Sequence, residues 1–230
     1  MTASYSKVRH LIRELGVSRA LLYGIDYSLK RVTGSKHIYH YLFTAQPVST
    51  HGLMGRAPSR SIRIEAIPRQ RYDHRWFPRP ADVINSRFEQ GAICFVAFKD
   101  NDPVGSLWLV SGKYNEDEVA CCFLPQPENS VAWDFDVYVT PELRASRLFG
   151  YLWDAAFQWL RQHGYSWTMS RIDAFNAASV RTHARLGAKT IGQGLFLVVG
   201  RLQLSAFSVK PFVHIHWRGA RPPRVRLRVR

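Results

Sequence analysis

The sequence has little cysteine. Three residues, Cys94, Cys121 and Cys122, are spread over 230 positions, and an odd count with two in adjacent positions of an apolar segment rules out a disulfide framework as the source of stability. Their simplest role is as small buried hydrophobes. Long apolar runs are also missing. Runs such as Leu195 to Val199 are far short of the roughly 20 residues a bilayer crossing needs. Lys7, Arg9, Arg13 and Glu14 interrupt any secretory pattern at the start, so the expectation is a cytoplasmic protein. There is no internal repeat. With 46% hydrophobic residues, the chain can bury a sizeable core and is not of disordered composition.

Acidic residues are scarce, 17 against 32 Lys and Arg for a net charge of +15, but the excess lies at the ends. Residues 1–40 carry seven basic residues against Glu14 and Asp26, residues 201–230 carry eight and no acid, and residues 41–200 are left with +2. The central chemistry therefore need not involve a polyanion, and nucleic acid is not an expected partner.

Between Ser6 and Val32 apolar residues recur at helical spacing, with Gly16 a natural break between two helices. Basic residues lie among them, so the segment can either pack on its own domain or rest on an anionic membrane surface. His37–Val48 reads as a strand and Thr50–Arg60 as a loop, which places a boundary near residue 60. Beyond it come a strand at Ser61–Ile67, a helix at Pro80–Gln90 and a hairpin of Ile93–Phe98 with Val104–Val110. Strands at Glu118–Leu124 and Val131–Val139 and a helix at about Ser146–His163 follow, then a strand at Tyr165–Ile172, a helix at Asn176–Leu186, and one or two strands over Lys189–Leu204 that bend near Gly192–Gly194. This order suits a mixed α/β sheet. Three segments result: a basic amphipathic extension over 1–60, an α/β domain over 61–204, and a basic tail over 205–230 whose arginines and prolines suggest disorder.

The stretch Val139-Thr-Pro-Glu-Leu-Arg-Ala-Ser-Arg-Leu-Phe-Gly150 runs from a strand through a short loop into a helix, and such a place offers unpaired backbone N–H groups to phosphate. It resembles the pyrophosphate loop of the GNAT (GCN5-related N-acetyltransferase) superfamily, whose pattern is Arg/Gln-x-x-Gly-x-Gly/Ala. Arg144 takes the first position, while Arg147 and Phe149 stand at the two glycines. A second stretch, Asn176-Ala-Ala-Ser-Val-Arg-Thr-His-Ala-Arg-Leu-Gly-Ala188, resembles the superfamily's Asn-x-x-Ala/Ser…Tyr-x-x-x-Gly-Phe stretch, with His183 at the tyrosine and Ala188 at the aromatic position.

The resemblance implies a GNAT-like fold, an acetyl-CoA or longer acyl-CoA donor and no metal. By the same resemblance the donor site comprises Tyr138, Val139, Arg144, Ala145, Ser146, Arg147, Leu148, Phe149, Gly150, Asn176 and Ser179, with the N–H groups of Tyr138 and Val139 polarising the acyl carbonyl. Phe149 must then point to the core, and Arg147 either blocks the pyrophosphate or binds it by charge. Asp134 and Asp136, placed by strand alternation on one face, are candidate bases for a small-molecule amine, Asp136 the nearer to the loop. His183 is the candidate acid for the leaving thiolate. His214 and His216, like His37 and His40, lack the further ligands a metal needs, and Trp76, Phe77 and Trp108 are read as core. The competing expectation is a GNAT-fold module without catalysis that docks on anionic lipid or RNA, residues 1–40 and 217–230 being the candidates for membrane contact.

Overall fold

Gly16 and Gly34, both at positive φ, punctuate the first third of the chain and leave two helices, α1 (Thr2–Leu15) and α2 (Val17–Thr33). The computed structural model describes residues 2–55, 57–144 and 146–229, with side chains from residue 9 onward. The remaining elements are β1 (Ile38–Pro47), β2 (Ile62–Ile67), α3 (Ala81–Glu89), β3 (Ile93–Lys99), β4 (Asp102–Ser111), β5 (Tyr114–Asn115), β6 (Cys122–Gln126), β7 (Val131–Val139), α4 (Leu148–Gln162), β8 (Trp167–Asp173), α5 (Ala177–Arg185), β9 (Lys189–Val199), β10 (Leu202–Phe207), β11 (Val213–Trp217) and β12 (Arg224–Arg228).

Nine strands form one mixed sheet in the order β11-β10-β9-β1-β8-β7-β4-β3-β2, and β12-β6-β5 form a second. The fold is the expected mixed α/β architecture. Within the large sheet β7 and β8 run parallel, joined through α4 as a crossover requires. Their ladder spans three pairs and ends at Trp133 opposite Met169. Beyond that point the two strands separate.

Two expected boundaries change. The segment ending at residue 60 is no appendage, because β1 lies between β8 and β9 and pairs antiparallel with both. Its Tyr41 and Phe43 are fully buried, so the sheet's core includes this strand. The 205–230 segment is no disordered tail either. β11 extends the large sheet, and β12 pairs parallel with β6. The physical reason is alternation: Val225 and Leu227 enter the core while Arg224, Arg226 and Arg228 face out. A further shift concerns Glu118–Leu124, where the strand begins only at Cys122 and residues 116–118 form a charged turn. The bend foreseen near Gly192 is a register shift between Thr190 and Gly192, opposite Phe43 and Thr44.

Two cores flank the sheet. One is built on aromatics, with Trp108, Trp133, Tyr114 and Phe123 fully enclosed, and Phe77 and Trp108 do fill it while Trp76 packs at its border. The other lies under α4, where Leu148, Leu152, Trp153, Ala156, Phe157 and Leu160 meet β3, β4 and β7. Each such large side chain contributes roughly 1.5–3 kcal/mol of burial. The loop after β1 is strapped along α4: Leu53 and Met54 donate their N–H groups to Asp154 at 2.5 and 3.1 Å, and Arg161 donates to the Ser49 carbonyl at 2.5 Å. All three cysteines are buried and unpaired. Among the described residues no helix is long and apolar enough to cross a membrane.

Candidate functional site

β7 carries the first group of expected site residues, and its pairing with β4 is irregular. Ser106 faces Tyr138 and Trp108 faces Phe135, so Asp136 and Val137 together oppose Leu107. Asp136 takes φ 49, a left-handed value that non-glycine residues seldom adopt and that fits a bulge beside a site. The bulge inverts the strand's alternation. Ala132 before it, and Val137 and Val139 after it, all face the α4 core, whereas Phe135 faces the aromatic core. Asp134 and Asp136 therefore do not share a face, contrary to the alternation expected from the sequence.

Their chemistry diverges accordingly. Asp136 meets Arg79 at 2.8 Å and Arg87 at 2.5 Å, and Arg87 also binds Asp117 at 2.6 Å while lying over the rings of Trp108 and Phe135. Burial alone would raise the Asp136 carboxyl, but the two guanidiniums outweigh it and bring its pKa to about 2. A carboxylate so held is a weak base, which corrects the choice of Asp136 for proton removal. Asp134 is fully enclosed. Burial pushes its pKa up to about 7, with the Thr168 and Ser170 hydroxyls partly offsetting the rise. It is the first residue of β7 beyond the last pair with β8, so it sits where the two strands part.

The parting also exposes backbone. Thr140 donates its N–H to Val104 at 2.9 Å on the β4 side, so by alternation Tyr138 points its N–H the same way and Val139 points away from β4. The Val139 carbonyl agrees, accepting from Arg144 Nε at 3.3 Å. Of the two candidate donors to an acyl oxygen, Val139 is the one on the open edge.

After a short turn at Pro141–Leu143, Ser146 precedes the N-cap Arg147 of α4, its hydroxyl donating to the Leu143 carbonyl at 2.7 Å and accepting from the Leu148 N–H at 3.2 Å. The first backbone bond into the helix is from Tyr151 to Arg147, at 3.1 Å, and the Gly150 N–H has no partner among the described residues. Arg144 and Arg147 are exposed beside it, so the helix start combines an unbonded N–H, the dipole's positive end and two cations. Phe149 turns inward onto Trp153 and His183, with ring centroids 6.4 and 6.2 Å away, and Leu148 is buried in the α4 core. Ala145 lies outside the described residues. Gly150 is needed for contact with the strap: a side chain there would overlap the Met54 methyl and come within 2.6 Å of its Sδ. That contact, absent from any motif, sets the strap against the start of α4.

Asn176 caps α5, its Oδ1 accepting from the Ser179 N–H at 3.0 Å, which leaves its amide NH₂ for other partners. His183 is buried on α5, edge-on to Phe149 and Trp153. Burial pushes its pKa down to about 4, so its imidazole is neutral at pH 7 and is not the charged acid the sequence suggested. A turn the sequence reading passed over joins the parted strands from behind: Glu116 and Glu118 bind Arg171 of β8 at 2.7 and 2.8 Å, and Asp117 between them binds Arg87. Three consecutive acids in a basic chain were the available signal. Among the described residues no three His, Cys, Asp or Glu are grouped to hold a metal ion.

A cavity of about 660 Å³ lies between α2 and the end of β8, bounded by Tyr23, Tyr27, Lys36, Asp173 and Phe175.

Solved structures with similar folds include a tandem GNAT protein from the clavulanic acid biosynthesis pathway, at 14% identity and TM-score 0.49, covering 71% of this chain and 55% of that one. The chain thus spans a little over half the tandem protein's length. Others are an IAA acetyltransferase from Bacillus cereus, at 13% identity and TM-score 0.41, covering 54% and 75%, and a GNAT family acetyltransferase from Elizabethkingia anophelis with acetyl-CoA bound, at 8% identity and TM-score 0.43, covering 55% and 75%. No curated protein matches the sequence. The family model described as Acetyltransferase (GNAT) family matches residues 61–188, more than half of the chain and all of both motifs, and the protein belongs to that family.

Proposed function

We propose that the protein transfers an acetyl or longer acyl group from acyl-CoA to an amine. The observation that carries this reading is the parting of β7 and β8 beside a doubly cationic helix start. The residues there fit a CoA donor: Arg144, Arg147 and the Gly150 N–H suit the pyrophosphate, and the Asn176 amide is free for the pantetheine arm. When bound, the donor supplies an activated acyl carbonyl and a thiolate leaving group.

The chain's own groups divide the remaining work. The Val139 N–H lies on the open edge, where it can stabilise negative charge developing on an acyl oxygen. Asp134, with a pKa near neutrality, accepts a proton from the incoming ammonium, directly or through water. His183 serves as a neutral imidazole fixing α5 against α4. The cavity under α2 receives the acceptor, its aromatic walls suiting apolar substance, while its Asp173 is held by Lys36 at 2.8 Å.

The test is release of CoA thiol from acyl-CoAs of increasing chain length, each incubated with a panel of amino acids, polyamines and amino sugars. Amine-dependent release that falls sharply in Asp134→Asn supports the reading. A protein that binds acyl-CoA but releases no thiol with any amine would favour the non-catalytic module.

A further inference from the structure

The far end of the large sheet exposes an apolar face. In the registers of β9, β10 and β11, Val199, Leu202 and Trp217 form one cross-strand row, and Leu197, Leu204 and Ile215 form the next. Ala206 and Val213 continue the face toward the β10–β11 turn. Directly paired residues share a face, so these side chains make one continuous surface. Ile215 is 68% exposed, Val213 72% and Trp217 57%. The opposite face of the same strands turns into the aromatic core, where Phe196 and Phe207 are buried together with Gln203, Ser205 and His216, so these strands are apolar on both faces.

A second apolar strip lies beside it. Asp26 fixes α2 over β1 by accepting the N–H groups of His37 and Ile38 at 2.9 and 2.8 Å. Tyr23 packs edge-on against Phe175, on the β8 flank. On the other side of the helix Val17, Leu21, Ile25, Leu29 and Val32 recur every three or four residues, and all are exposed. That side turns to solvent and to the flank where β9 follows β1. Contiguous apolar surface of this extent marks a docking site.

Charge selects the occupant. No acidic residue follows Asp173 in the sequence, and Arg201, Lys210 and Arg218 lie at the turns bounding the sheet face, with Arg218 bonded through its N–H to the Arg201 carbonyl at 2.9 Å. Lys30 and Arg31 close α2. The nearby carboxylates are committed: Glu14 to Arg181, Asp26 to backbone, and Glu116 to Glu118 to Arg171 and Arg87 behind the sheet. Two copies placed face to face would bring like-charged rims together at +15 each. An anionic surface meets the rim with opposite charge.

We infer that the β9–β11 face and the exposed stripe of α2 dock on the surface of an anionic lipid bilayer, the apolar rows entering the headgroup–acyl boundary and the basic rim facing lipid phosphate. Trp217 at the edge of the face has the amphipathic ring favoured at that depth. This surface keeps α2 from the expected N-terminal segment and moves the C-terminal contact to β9–β11, since Val225 and Leu227 of β12 are buried on the other side of the sheet. The inference stands independently of acyl transfer.

The experiment is co-sedimentation of the full chain with vesicles of phosphatidylcholine alone or mixed with phosphatidylglycerol, with light scattering of the lipid-free protein. Expected are binding to the mixed vesicles, weaker binding to neutral ones, and a loss of about tenfold or more in the exposed double variant Ile215→Asn, Trp217→Ser. Quenching of tryptophan emission by bilayer-embedded bromolipid should fall with Trp217→Phe. Unchanged binding by the double variant, or no binding to anionic vesicles, overturns the inference. So does a concentration-dependent dimer that the double variant disperses, which would assign the face to a second copy.

Discussion

Asp134 and Asp136 stand two positions apart on one strand, yet the bulge between them sends their carboxyls to opposite faces of the sheet. One is held near pKa 2 by two arginines and the other is raised to about 7 by burial. One local irregularity thus separates a fixed anion from a group able to gain and lose a proton near neutrality.

The Asp134 shift has a stability consequence of defined sign. Its folded value lies above its ordinary 3.8, so the native state binds the extra proton, and the favourable contribution present below about pH 4 is lost as pH rises through about 7. Asp134→Asn should therefore be more stable than the wild type at pH 8, by on the order of a few kcal/mol, and the gap should close by pH 4. Urea unfolding at the two pH values checks this, and a constant gap would contradict it.

Arg87 is 2% exposed and joins Asp117 to Asp136. Arg87→Met leaves both carboxylates without that partner and should cost about 3–5 kcal/mol. Asp136 keeps Arg79, so the loss should shrink when Asp136→Asn is added. A double-mutant cycle in urea measures the coupling, and strict additivity would mean that the pair contributes nothing.

Gly105 faces Val139 beside the bulge, and a side chain there would lie 2.9 Å from the Tyr138 carbonyl and 3.2 Å from Leu152. The carbonyl belongs to the strand that forms the site and cannot swing aside as a side chain would. Gly105→Ala should lower stability by about 1–3 kcal/mol and weaken donor binding as well, because the Val139 edge moves. Unchanged donor affinity would show that this edge plays no part.

Leu227, 28 residues beyond the end of β9 at Val199, is buried in the aromatic core. Leu227→Ala should cost about 2–5 kcal/mol, whereas Arg226→Ala on the outer face should change stability by less than about 0.5 kcal/mol. Equal, negligible effects in thermal unfolding would return this segment to the status of a loose tail.

Much of the region proposed for the donor was legible in the sequence because it rests on local signals. The helix over Leu148–Gln162 follows its apolar period, and Asn176 at the start of α5 is a recognisable N-cap. What escaped depends on partners distant in sequence. The insertion of β1 between β8 and β9 is a tertiary pairing that no local pattern records. The bulge at Asp136 is set by pairing with β4, and without it simple alternation placed two carboxylates together. The short Val-Arg-Leu-Arg alternation of β12 was masked by its charge, and the neutrality of His183 follows from Phe149 and Trp153 closing around it.

Direct titration of acetyl-CoA into the protein tests the central claim, that the start of α4 and the parted strands form an acyl-CoA site. Saturable binding is predicted, with affinity falling about tenfold or more in Arg144→Glu, Arg147→Glu and with thermal stabilisation that grows with donor concentration. No saturable binding, or binding indifferent to the charge reversal, would contradict the account.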